Sequence, residues 1–184
     1  MLRRIAVILL LLVSLSLFPV VRSANAAITA GLKPYIDSID GYRFLYPNGW
    51  TEIAVKNGPD VVLHDLIEQS ENVSVIVNPV PDGKTLADLG TPGEVGYKLM
   101  NNAIAPTNSN RQAELVNAES LEKNGKIYYI LEYAVKAPQG ERHNVASVAV
   151  NRGQLYTFNA SATEKRWRKI KDLLTQSVKS FTVD

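Results

Sequence analysis

An α+β fold, a mainly antiparallel β-sheet flanked by helices, is predicted by three features of the sequence. First, the stretch from Arg142 to Phe181 changes period. The apolar-rich runs Val145–Val150 and Leu155–Ala160 flank a turn at Asn151, Arg152 and Gly153; after Thr163, Trp167, Ile170, Leu174, Val178 and Phe181 recur at spacings of three and four, one stripe of a helix. Second, Gln112–Lys123 and Lys126–Lys136 are long strand candidates joined by Asn124-Gly125, a pair that accepts positive φ at both turn positions. Third, the connections are short and no strand–helix–strand alternation appears, so parallel pairing has no crossovers to use.

In chain order, residues 1–26 read as a cleaved export signal. Arg3 and Arg4 give a basic start, Ile5–Val21 an apolar stretch, and Ala24-Asn25-Ala26 a small-x-small cleavage site. Removing them takes Lys plus Arg from 20 to 17 against 18 Asp plus Glu, so the net charge moves from +2 to −1. A chain near neutrality offers no electrostatic reason to bind nucleic acid. Residues 27–39, with Gly31 and Pro34, read as a flexible lead-in. A single domain then fills residues 40–184, and 46% apolar residues suffice for its core.

Within that domain Tyr42, Phe44 and Tyr46 alternate with Arg43 and Leu45 as a strand, Pro47–Gly49 turns, and Trp50, Ile53 and Val55 begin the next segment. Val61–His64 and Val73–Val77 are β-branched runs separated by a polar turn segment. A helix is expected from Pro92 to about Asn101, with Val95, Leu99 and Met100 inward. Four antiparallel strands follow from Gln112 to Ala160. The last helix starts after Thr163, whose hydroxyl is expected to cap it, with Glu164 in the first turn at the positive dipole end.

Chemistry is sparse. Cysteine is absent, which excludes disulfides, thiolate zinc sites and lipid attachment through cysteine. There is no phosphate-cradling glycine loop and no Gly-x-Ser-x-Gly elbow, and only His64 and His143 could serve a serine triad. The chain is therefore read as a non-enzyme with no tightly bound cofactor.

His143 and Glu164 stand out. If the Asn151–Gly153 turn pairs the flanking strands, residues whose numbers sum to about 304–307 face each other. His143 and Glu164 then lie at one end of the sheet and could hold a zinc or manganese ion with waters completing the shell. The default for such a pair is a surface histidine beside a helix-capping carboxylate. Lys165, Arg166, Arg168, Lys169 and Lys171 form a basic cluster on the last helix, by default a solvated face. Its functional version, carried by Lys165, Arg166 and Lys169, is docking onto an acidic protein surface, with reversal of those charges expected to leave the fold intact.

Several segments in order resemble the PsbP family, above all its cyanobacterial form. They are Asp40-Gly41-Tyr42 through Pro47 and Trp50; Asn72–Pro79; Leu89-Gly90-Thr91-Pro92 with Glu94; Asn124-Gly125-Lys126 with Tyr128-Tyr129; and Gly153-Gln154-Leu155-Tyr156 leading to Lys165-Arg166-Trp167. The resemblance implies an α/β/α sandwich of the PsbP/Mog1 type. It implies an extrinsic protein of the thylakoid lumen, peripheral to the membrane and monomeric in solution. Such a protein docks on lumenal loops of photosystem II core subunits and supports assembly or the retention of calcium and chloride around the manganese–calcium cluster. It further implies that His143 and Glu164 match positions linked to zinc or manganese binding. Two departures stand out: the lipobox cysteine usual in cyanobacterial members is missing, which leaves membrane association to protein partners, and the longer N-terminal segment of plant members is reduced to a short lead-in, which favours an assembly role.

Overall fold

The computed structural model describes residues 31–184; the expected export signal and residues 27–30 lie outside them. Two antiparallel sheets form the body. The smaller has the order β1-β2-β10, with β1 Leu32–Asp37, β2 Tyr42–Pro47 and β10 Thr182–Val183. The larger runs β3-β4-β5-β9-β8-β7-β6. Its strands are β3 Trp50–Glu52, β4 Val61–Asp65, β5 Asn72–Pro79, β6 Gln112–Lys123, β7 Lys126–Ala137, β8 Gly140–Asn151 and β9 Gln154–Thr163. Helices α1 Pro92–Leu99 and α2 Glu164–Ser180 cover opposite faces of the larger sheet. No helix among the described residues is long and apolar enough to cross a membrane.

Local chemistry accounts for the hairpins. Asn124 and Gly125 have φ of 54° and 71°, and Arg152 and Gly153 have 49° and 72°, the left-handed pair that a tight antiparallel turn requires. The second turn sets His143 opposite Ala162 and Asn151 opposite Gln154, as the expected pairing sums demand. Helix α1 opens with a capping box: Thr91 Oγ1 accepts from the Glu94 amide at 3.4 Å, and Glu94 Oε2 accepts from the Thr91 amide at 2.8 Å. Its end loosens into a π-helical turn over Met100–Ile104.

Two expectations are corrected. Residues Leu32–Asp37 of the supposed flexible lead-in form an edge strand on β2, in register from Leu32 opposite Pro47 to Asp37 opposite Tyr42. Pro34 is tolerated because an edge strand leaves one side of its backbone unpaired. Leu32 is buried, and the Tyr35 ring stacks on Phe44 at 4.9 Å. Thr163 does occupy the position before α2, but its hydroxyl makes no capping bond. Thr163 is still the last rung of β9, opposite Arg142, and strand alternation turns its side chain to the sheet face that α2 does not cover.

The core has two parts. On the α2 side Trp167, Leu174 and Val178 pack on Tyr128, Phe158 and Ala160, with Tyr42 and Phe44 of the smaller sheet closing the layer. On the α1 side Val95 and Leu86 pack on Tyr129, Leu131, Tyr133 and Val148.

Candidate metal and docking site

His143 sits on β8 facing α2, and both of its ring nitrogens meet carboxylates. Nδ1 lies 2.9 Å from Glu164 Oε2, at the first residue of α2, and Nε2 lies 2.8 Å from Glu132 Oε1 on the neighbouring strand β7. The Trp167 ring lies flat on the imidazole, with centroids 4.3 Å apart and planes within 11°. Lys171, one turn further along α2, reaches Glu132 Oε1 at 3.4 Å. The imidazole is thus clamped between two acids and roofed by an indole. A neutral ring can donate to only one of these carboxylates, whereas the cation donates to both.

The pairing expected from the strand register, His143 with Glu164, is therefore present, but Glu132 joins it. The β7–β8 register sets Ala134 opposite His143, which places Glu132 one pleat along on the same face. Its signal in the sequence is an acid inside the apolar run Ile127–Val135. His143 and Glu164 are the residues that would hold a metal ion. Nε2–H donation to Glu132 would fix the tautomer and leave the Nδ1 lone pair for the ion beside Glu164, the carboxylate–histidine–metal arrangement. Glu164 and His143 also line a cleft of about 480 Å³, with Glu114, Glu141 and Arg168, which gives solvent access from that side.

The basic cluster divides. Lys165, Arg168 and Lys169 are exposed on α2. Arg166, expected to be a docking cation, is instead a structural partner. Its Nε and Nη2 donate to Glu71 Oε1 and Oε2 at 2.8 and 3.1 Å, and the Glu71 side chain is 1% exposed. Reversing Arg166 along with Lys165 and Lys169 would therefore remove the ion-pair partner of a buried carboxylate, an argument against the expectation that the fold stays intact. His64 lies on β4 opposite Thr51. Its neighbour Asp65 instead accepts from the Trp50 indole at 3.1 Å and from the amides of Ile67 and Glu68 at 2.7 and 2.9 Å.

A family model described as PsbP matches residues 30–183. The chain belongs to the PsbP family. Among PsbP relatives, CyanoP of Thermosynechococcus vestitus is 49% identical over 175 residues, which cover 92% of this chain and 95% of that protein. CyanoP of Synechocystis is likewise 49% identical, over 84% of each chain. The solution structure of cyanobacterial PsbP (CyanoP) from Synechocystis superposes with a TM-score of 0.73 at 48% identity, covering 84% of this chain and 94% of that one. The PsbP fold, an antiparallel sheet between helices, is the one expected from the sequence.

Proposed function

We propose that this PsbP-family chain is a non-enzymatic extrinsic protein that docks on the lumenal side of photosystem II and supports assembly and stability of the oxygen-evolving complex. The observation that carries the reading is the match to CyanoP along nearly the whole of both chains. The protein is peripheral to the thylakoid membrane in the lumen, monomeric before it docks, and holds no tight cofactor. Lys165 and Lys169 on the exposed side of α2 support the docking role, since complementary fields steer and orient association. A pull-down with tagged protein from gently solubilised thylakoids tests it. Recovery of photosystem II lacking the finished manganese cluster fits the assembly role. Recovery of complete, active complexes moves the role to calcium and chloride retention, and recovery of no photosystem II subunits refutes docking.

A second reading has its own observation, the 2.9 Å approach of His143 Nδ1 to Glu164 with Glu132 behind the ring. In it the protein is a lumenal carrier or sensor that holds zinc or manganese exchangeably at His143 and Glu164. Zinc and manganese titrations of the parent, His143→Ala and Glu164→Gln check it. Equal affinity in all three proteins removes the site.

A further inference from the structure

The sheet face under α1 changes character where the helix ends. Beneath α1 it is apolar, with Leu131 and Val148 fully buried. Beyond it, along β5, β9 and β8, the same face presents Ser74, Thr157, Asn159 and Asn144 as polar groups on the floor of a cleft of about 510 Å³ whose walls are largely apolar, with Ile76, Leu99 and Ile104 among them. A solvated sheet face would also be polar, so the floor alone decides nothing. The two arginines at one end of the cleft, Arg111 and Arg142, do.

Arg142 is half-buried and fixed in place. Its Nε and Nη2 donate to Ser161 Oγ at 3.1 and 2.8 Å, and Nη2 also donates to the Ser70 carbonyl at 2.6 Å. Ser161 in turn donates to Asn144 Oδ1 at 2.7 Å. All of these acceptors are neutral. Among the described residues neither arginine forms an ion pair, and the nearby Glu71 is already taken by Arg166. Burial pushes the pKa of Arg142 down, Glu71 draws it back up, the second cation Arg111 pushes it down again, and Glu68 adds a smaller upward pull. Neither carboxylate is bound to it directly, so a guanidinium held rigid, partly desolvated and beside another positive charge is left able to take a bound anion.

We propose that this cleft binds a small polar molecule through an oxyanion, a carboxylate or phosphate group set between Arg111 and Arg142, with the amide and hydroxyl floor contacting the rest. The ligand's charge replaces the missing ion pair, and Arg142 is pre-organised because its orienting bonds exist before the ligand arrives. The cleft floor lies on the sheet face away from α2, while Arg142 at its edge also borders the cleft that His143 and Glu164 line.

The test is amide-shift titration of the purified protein with glutarate and, separately, inorganic phosphate. Saturable shifts at Asn144, Asn159 and Ser161 are expected with at least one probe, and the tighter probe identifies the oxyanion class. Arg111 is exposed, so Arg111→Gln should keep the parent melting temperature while weakening binding about tenfold, the loss of one charge-assisted hydrogen bond. Arg142→Lys, which keeps the charge but loses the fork, should weaken it at least as much. Absence of saturation with both probes, shifts confined to other faces, or parent affinity in Arg111→Gln overturns the proposal.

Discussion

The pair Glu71–Arg166 offers a direct measure of how α2 is held to the rest of the protein. Replacing Arg166 with Met keeps most of its stem but strands a carboxylate that is 1% exposed. Breaking a fully buried pair from one side costs about 3–5 kcal/mol. Here the arginine side chain is 42% exposed, so water can reach the vacated position and relieve part of the penalty. The expected loss is therefore about 2–3 kcal/mol, which for a domain of this size lowers Tm by roughly 4–12 °C. Urea titration and calorimetry measure both quantities. The decisive comparison is Glu71→Leu with Arg166→Met, which removes both charges and should recover most of the loss, since an apolar pair of similar volume is often neutral or better. If Arg166→Met lies within about 0.5 kcal/mol of the parent, or the double variant is no more stable than the single, the ion pair is not what holds Glu71 inside.

Other expectations follow from the same geometry. Reversing Lys165 and Lys169 to Glu while leaving Arg166 untouched should weaken recovery of photosystem II in the pull-down and reduce its salt sensitivity, with Tm unchanged, because both side chains are exposed. Ser147 is 1% exposed and its Oγ has no hydrogen-bond partner among the described residues, so Ser147→Ala should stabilise the protein by about 1 kcal/mol in urea melts. Asp65 supplies a pH dependence. The backbone N–H of Glu68 above all, then that of Ile67 and the Trp50 indole, hold its carboxyl below the usual range against the opposing effect of burial. The unfolded chain therefore binds this proton more readily. The stabilisation is complete above the unfolded pKa of about 4 and is lost as pH falls through the lower folded value. Urea midpoints from pH 6 down to pH 2 should fall less steeply in Asp65→Asn than in the parent; equal slopes would assign the acid sensitivity elsewhere.

What could be read from the sequence and what could not divide by how far apart the determining residues lie. Asn124-Gly125 and Arg152-Gly153 are local devices: the positive φ follows from residue type at Asn124, Gly125 and Gly153, with Arg152 carried into it by the turn, and each pair fixes the register of the two strands it joins. That register alone carried His143 to Glu164. Carried one hairpin further, it also reaches Glu132, because Ala134 opposite His143 puts an acid on the same face two residues away. Glu132 was thus legible in principle, masked by its place in an apolar run. Glu71 and Arg166 differ in kind. They stand 95 residues apart, one in a loop and the other on the last helix, and no turn or period links them. The strand Leu32–Asp37 differs again: it pairs with its sequence neighbour β2, but β2 also pairs with the end of the chain, and Tyr42 and Phe44 are buried against the distant Tyr156, Phe158 and Phe181. A cation on the outer face of a helix looks the same in sequence whether it steers a partner or neutralises an acid beneath it. The difference lies in the loop that folds under the helix, so burial of Glu71 is the fact that separates Arg166 from Lys165 and Lys169.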